Sequence, residues 1–257
     1  PLRLYVFDFE LPRELHFESL LYLPVADLIG AGETEQDAKD RLFALRMTPS
    51  SVAWPSGLTY RITWDSEANP QRCEAFYDEP GEDPAYSVGT LAPKYMLGEG
   101  WNGVGFPNSM FFQFVDNSTP RPDSFCGEAL GDPFGTEAYN RKWADFLRGL
   151  EDWLDARGLL ERGYWYVQNE PQNQADYDLA AALCRLSKTA APGLRIAISE
   201  EPKPEIAEHA GGACLYDLWI AHVRALDPAY AASVMRRGAR LWLYTLDHDP
   251  DPYFNPT

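Results

Sequence analysis

The stretch Gly163-Tyr164-Trp165-Tyr166-Val167-Gln168-Asn169-Glu170-Pro171 decides how this chain reads. Its centre, residues 164–168, is aromatic and β-branched and carries no charge, the pattern of a strand buried on both faces. An amphipathic helix is expected on each side. Upstream, residues 136–157 put Trp143, Phe146, Leu147, Leu150, Trp153 and Leu154 on one face, with Gly158 as the stop. Downstream, residues 175–189 repeat the helical period. Gly193 then turns into a strand over 194–199, and further strands are expected over 216–221 and 240–245. A short helix over 228–237, ended by Gly238, separates the last two. Alternating helices and near-continuous apolar strands predict an α/β fold, with a parallel sheet and helices outside it.

Working outward, the first half of the chain is less regular. Residues 2–8 read as a buried strand and 36–47 as a helix with Ala38, Leu42 and Leu45 at helical spacing. Strands are expected over 58–64 and 110–115. Between them residues 65–109 form a loop-rich stretch dense in Pro, Gly, Asp, Glu and Tyr, and connections of that length tend to be functional. No repeat, low-complexity tract or linker interrupts the chain, so residues 1–257 read as one domain.

A doubly wound sheet and a closed barrel both satisfy this pattern. No glycine fingerprint or phosphate loop follows any strand, which removes the commonest nucleotide-binding reason for an open sheet. The expected fold is therefore a TIM-type (β/α)8 barrel. About seven strands are counted where a barrel has eight, so the barrel reads as incomplete at its carboxyl-terminal end. Pro1 opens the chain and no basic-then-apolar leader precedes the first strand, so the chain reads as excised from, or truncated relative to, a longer one.

Composition narrows the function. The formal charge is −17, from 39 acidic and 22 basic residues, and such a chain repels nucleic-acid backbones and anionic membrane surfaces. No apolar run approaches the roughly 18–20 residues that span a bilayer, so no membrane insertion is expected. Aromatic residues make up 14% and include eight Trp, more flat rings than a core needs, and sugar sites use such rings to pack the C–H faces of a pyranose. A carbohydrate is the expected partner. Cys73, Cys126, Cys184 and Cys214 have no metal-ligand spacing, so no metal and no cofactor is expected. Cys184 reads as a core residue, while Cys73 and Cys126, in loop-like segments, are open to pairing in an oxidising compartment. Nothing in the sequence speaks to oligomeric state.

In barrels of this kind the reacting groups follow the carboxyl ends of the strands. Those positions hold Asp8 and Glu10, then Asn169 and Glu170, then Glu200 and Glu201, then Asp247, His248 and Asp249. There is no serine elbow and no Cys–His arrangement, so the available chemistry is acid–base work by carboxyl groups, as in glycosidic cleavage. Residue parity puts Glu170 on the face of Tyr164, Tyr166 and Gln168, and a distortion at the strand end would bring Asn169 there too. Burial among rings favours the protonated form of a carboxyl, which suits an acid. Trp101, Trp242, Tyr244 and Tyr166 are candidate pocket-lining rings, and Asp8 and Glu200 are candidate substrate contacts. Trp242 and Tyr244 share parity, so both face into the barrel or both face outward.

The segment 159–171, Leu159-Leu160-Glu161-Arg162 followed by the stretch quoted above, resembles the catalytic strand of glycoside hydrolase family 123. It is equally similar to the related barrels grouped as domain of unknown function 4091. The segment Gly238-Ala239-Arg240-Leu241-Trp242-Leu243-Tyr244-Thr245 resembles that family's late strand. Leu4-Tyr5-Val6-Phe7-Asp8-Phe9-Glu10-Leu11-Pro12 is similar to the opening of its barrel, and Tyr216-Asp217-Leu218-Trp219 fits its penultimate strand. The resemblance implies β-N-acetylgalactosaminidase activity by substrate assistance, in a secreted or periplasmic protein. Glu170 would match the general acid/base. Asn169 would match the neighbour that orients the substrate's 2-acetamido group, whose carbonyl oxygen attacks the anomeric carbon. That neighbour is often Asp, which balances the positive oxazolinium intermediate; an Asn orients it without balancing charge.

Two other readings stay open. A retaining glycosidase with its own nucleophile needs a second carboxylate about 5–5.5 Å from the first, with Glu200, Glu201, Asp247 and Asp249 as candidates. A non-catalytic carbohydrate-binding barrel is the other.

Overall fold

The computed structural model describes residues 18, 32–45, 47–48, 61–65, 69–76, 88–100, 103–106, 109–112 and 135–245. Helix α1 (Glu35–Ala44) comes first, then strands β1 (Arg61–Asp65) and β2 (Asn69–Phe76), helix α2 (Val88–Tyr95) and strand β3 (Ser109–Phe112). Helix α3 (Glu137–Asp155) leads through a 3₁₀ turn (Leu160–Arg162) into β4 (Gly163–Asn169). There follow α4 (Gln174–Ala190), β5 (Ile196–Ser199), α5 (Pro204–Ala207), β6 (Leu218–His222), α6 (Pro228–Arg236) and β7 (Arg240–Tyr244).

The protein is α/β. Strands β3 to β7 form one sheet in the order of the chain, and every pairing in it is parallel. A helix lies in each connection, as parallel neighbours require. Each long helix starts where a side chain satisfies its first amides. Thr136 accepts from Tyr139 N–H at α3, Asn173 from Ala175 and Asp176 N–H at α4, and Asp227 from Ala229 and Tyr230 N–H at α6. Pro228, whose missing N–H costs nothing at a first helical position, opens α6. After α3 the chain turns through Gly158 at φ +66°, a conformation costly for any residue with a Cβ.

Strand β4 is buried over its whole length until Asn169. Trp165 and Val167 join the core beneath the helices, with Trp143, Phe146, Leu150, Leu183, Ile198 and Trp219. Tyr164 and Tyr166 lie on the other face with Ala197, Leu218 and Ile220, against which Trp242 and Tyr244 pack. That face is called the inner face below. Trp143, Phe146 and Trp165 stack within 6.0 Å of one another and fix α3 on the sheet.

Several expectations change. The strand expected over 58–64 is β1, and it pairs antiparallel with β2 in a separate two-stranded sheet. Only residues 66–68 separate the two strands, enough for a hairpin and far too few for a parallel crossover. The stretch read as loop over 65–109 thus contains β2 and α2. In α1, Ala38 and Leu42 are buried, but Leu45 falls past the helix end and is 68% exposed. Cys184 is a core residue and also a disulfide partner, joined to Cys214 with 6.0 Å between Cα atoms. The bond pins the segment after α5 onto α4. The expected opening strand over 2–8, Cys126 and the residues beyond Thr245 lie outside the described residues.

The loop between α2 and β3 is anchored at the amino end of β4. Arg162 donates to the carbonyls of Met96, Val104 and Phe106, and Phe106 N–H donates to Tyr95 O at 2.8 Å. Gly105 permits the crossing, since a Cβ there would lie 2.2 Å from Met96 O. The far end of the seven-residue β4 is about 20 Å away. No helix among the described residues is long and apolar enough to cross a membrane.

Candidate functional site

The carboxyl end of β4 departs from regular strand geometry. The β4–β5 register is Tyr166 opposite Ala197, then Gln168 opposite Ile198 and Asn169 opposite Ser199. One extra residue therefore sits on β4 between Tyr166 and Gln168. Such a bulge reverses the face of everything beyond it. Gln168, which simple alternation assigns to the face of Tyr166, is level with Ile198 of the helix-side core. Asn169 comes to the inner face instead, where Tyr166 Oη donates to Asn169 Oδ1 at 2.6 Å.

Glu170 follows at φ +42°, the only non-glycine residue with a positive φ among those described. A side chain in that region costs on the order of 1–3 kcal/mol and persists only where its surroundings hold it. Here they do. Glu170 N–H donates to Ser199 O at 2.7 Å, and Gln172 Nε2 donates to Glu170 O at 2.7 Å. Gln172 N–H in turn donates to Asp176 Oδ2 in the first turn of α4 at 2.9 Å. The turn is thus wired to both the neighbouring strand and the following helix.

The Glu170 carboxyl lies over the inner face. Tyr244 Oη, at the end of β7, donates to Glu170 Oε1 at 2.6 Å. The same phenol is hydrogen-bonded to the side chain of Ser199, a buried residue at the end of β5. Burial, and then the Glu170 carboxylate, push the Tyr244 phenol well above its ordinary range, so it stays protonated and acts as a donor. His222, at the end of β6, stands opposite Tyr244 in register and packs its ring edge-on against it, 5.2 Å between centroids at 68°. Four adjacent strand ends therefore converge, bringing Asn169, Glu170, Ser199, His222 and Tyr244 together.

A second layer lies beneath. Trp242 packs edge-on against Tyr164 at 5.7 Å and donates through Nε1 to Glu18 Oε2 at 3.3 Å. Glu18 also pairs with Arg240, and Arg195 stacks over the Tyr164 ring at 4.2 Å. These contacts sit toward the amino end of the sheet and close the floor of the site.

Of the residues expected from sequence, Glu170, Asn169, Tyr166, Trp242 and Tyr244 share this face. Glu200 does not. It follows Ser199 and turns to the helix side, where it is 6% exposed and receives the Lys203 ammonium. Lys203 also binds Glu201 Oε1 at 2.8 Å and Tyr177 Oη at 3.2 Å. Burial and the adjacent Glu201 carboxylate raise the Glu200 carboxyl to about 7, against the pull of Lys203, while Lys203 holds Glu201 below its ordinary value. Asp8, Trp101, Asp247, His248 and Asp249 lie outside the described residues. Sequence reasoning passed over Ser199 and His222. Both are the last residues of their strands, and attention to the final strand position, rather than the residue after it, finds them.

Among the described residues no group of three His, Cys, Asp or Glu is arranged to hold a metal ion. What the site offers is one carboxyl fixed by a phenol, an adjacent carboxamide fixed by a second phenol, and a floor of rings. No protein-family model matches the chain, and no curated protein matches it.

Proposed function

We propose that this chain is the catalytic (β/α)8-type barrel of a glycoside hydrolase that cleaves a β-linked N-acetylhexosamine by substrate assistance, with Glu170 as acid/base. The observation that carries the reading is Glu170 itself. A strained, non-glycine strand end presents a single carboxyl to a ring-lined face beside an oriented carboxamide. Strain held at a strand's carboxyl end is where such barrels put their chemistry. The barrel reading is supported by five parallel strands in unbroken chain order, since doubly wound sheets reverse order at a switch point.

The roles follow from the groups. The substrate's acetamido oxygen attacks the anomeric carbon, the glycosidic C–O bond breaks, and Glu170 gives its proton to the departing oxygen. Water then attacks the anomeric carbon and returns a proton to Glu170, opening the oxazolinium with retained configuration. Asn169 Oδ1 has two lone pairs; Tyr166 fills one, and the other accepts the acetamido N–H and holds it for attack. Asn169 cannot balance the oxazolinium charge. Glu170, a carboxylate once its proton has left, does so from the next residue.

Among the described residues the distribution of carboxyl groups favours assistance over an enzymic nucleophile; Asp247 and Asp249 lie outside them. Among the described residues Glu200 and Glu201 are committed to Lys203 on the helix side, and Glu18 is held by Arg240 and Trp242 lower on the inner face.

The test is hydrolysis of 4-nitrophenyl β-N-acetylgalactosaminide against the plain β-galactoside. Release from the acetamido sugar alone, lost in Glu170→Gln, is the expected result. Cleavage of the plain galactoside would move the chemistry to a protein nucleophile, and release unaffected by Glu170→Gln would sink the assignment of the acid/base.

A further inference from the structure

We infer that Tyr244 is the positioning residue of this site, and that it assigns the acid/base proton to one particular oxygen of Glu170, Oε2. The inference rests on the reading of Glu170 as acid/base and adds how that carboxyl is aimed.

A neutral carboxylic acid accepts hydrogen bonds at its carbonyl oxygen and donates from its hydroxyl oxygen. Tyr244 stays protonated, so toward Glu170 it is a donor, and at 2.6 Å it is a close one. Its partner oxygen, Oε1, is thereby kept in the acceptor role whether Glu170 is ionised or neutral. The transferable proton then belongs on Oε2. A carboxyl whose two oxygens are made unequal in this way presents its proton in one direction, which is what transfer to a leaving oxygen needs.

The phenol is in a position to impose this because it is itself constrained. Ser199 engages the phenol oxygen, and the His222 ring abuts its ring from the neighbouring strand. Tyr244 and Glu170 come from β7 and β4, 74 residues apart, so the hydrogen bond also ties the reacting group to the opposite side of the described sheet. Glu170 is held at φ +42° by its backbone, and the Tyr244 hydrogen bond steers its side chain.

Two measurements test this. With tyrosine labelled at Cζ, the Tyr244 resonance, identified by its loss in Tyr244→Phe, should step as Glu170 takes up a proton, and Glu170→Gln should abolish the step. This readout needs no turnover. The second compares leaving groups. Tyr244→Phe should lower kcat about 100-fold on a β-N-acetylgalactosaminyl disaccharide, whose leaving alkoxide needs the proton. On the 4-nitrophenyl glycoside, whose leaving group needs little protonation, the loss should be about 5-fold, with KM within about twofold on both. Ser199→Ala should show the same ordering with smaller losses. Equal losses on both substrates would reduce Tyr244 to a structural prop and overturn the inference, as would a Tyr244 resonance indifferent to Glu170→Gln. An inactive wild type would instead overturn the hydrolase reading, while the resonance would still decide whether the pair exists.

Discussion

Glu170 and Glu200 leave neighbouring strands at the same end of one sheet, and the two faces of that sheet give them opposite fates. Glu170 stands on the inner face with neutral partners, a phenol at 2.6 Å and an amide one residue away. Glu200 is driven under the helices and shares one ammonium with Glu201. The inner face holds its carboxyl by a directional hydrogen bond from a neutral phenol. The helix side neutralises its carboxyls by burial, ion pairing and proton uptake, and the Cys184–Cys214 bond locks α4 of the same layer. A carboxyl at a strand end is thus held by a directional hydrogen bond on one face and riveted by an ion pair on the other.

The sharpest way to break this contrast is to exchange the losses. On the proposed reading Glu170→Gln should lower hydrolysis by about 10³-fold, since it removes the proposed general acid/base. Its unfolding free energy in urea should change by less than about 0.5 kcal/mol, because Gln can still accept from Tyr244. Lys203→Met should do the reverse, costing about 3 kcal/mol in urea denaturation by leaving two largely buried carboxyls without their cation, with kcat changed by less than about threefold. A catalytic collapse in Lys203→Met with stability intact would make the helix-side cluster part of the chemistry.

Reduction of the disulfide tests the same side by a covalent route. Cys184 and Cys214 are 30 residues apart, and closing a loop of that length contributes about 3–4 kcal/mol through the unfolded chain. The Cys184→Ala, Cys214→Ala double variant should lose that much in urea. It should keep its activity at temperatures where it is folded, since neither sulfur approaches the inner face.

How far these contrasts were legible beforehand depended on what each one rests on. The strands β4 to β7 and the long helices announce themselves through apolar runs, helical spacing and glycine stops, all local signals. The hairpin of β1 and β2 was hidden because its second strand, Asn69 to Phe76, is polar and has a proline at its second position, so composition marks it as loop. The partner of Cys184 was hidden because pairing depends on where the segment after α5 returns, which spacing does not encode. At the site, strict alternation puts Gln168 beside Tyr166. The bulge puts Asn169 there instead, and only the neighbouring strand's register reveals it. Glu200 looked like Glu170 in sequence for the same reason: both follow a strand, and the face is settled by residues that neither one adjoins.

The pH dependence of stability separates the faces by a smaller amount. Burial holds the Glu200 carboxyl at about 7 in the folded protein, above its ordinary 4.5, so the folded state keeps a proton that the unfolded chain has released. That contribution is complete below pH 4.5 and is lost as pH rises toward about 7, for at most about 3 kcal/mol. Glu201 acts with the opposite sign, because Lys203 holds its carboxyl low; its share disappears as pH falls below its ordinary range. Stability should therefore peak near pH 5 and decline toward neutrality. Glu200→Gln should flatten the decline, whereas Glu170→Gln should leave it in place. A decline that survives Glu200→Gln would mean the proton is held elsewhere.

The smallest effect should come from the other phenol. Tyr166 donates to Asn169 as Tyr244 donates to Glu170, at the same 2.6 Å, but in the proposed mechanism it serves the residue that orients substrate and transfers no proton. Tyr166→Phe keeps the buried ring and removes only the hydroxyl, so stability should fall by about 1 kcal/mol, the net worth of one hydrogen bond. The Asn169 carboxamide is then free to turn, and the acetamido group loses its fixed acceptor. Hydrolysis should drop about 5- to 10-fold, and by the same factor for good and poor leaving groups, because attack by the acetamido oxygen is impaired equally in both. That indifference to leaving group is what sets it apart from Tyr244→Phe. If the two phenols instead gave the same leaving-group dependence, Asn169 and Glu170 would be sharing one proton-handling role, and the division of labour between the two residues would have to be redrawn.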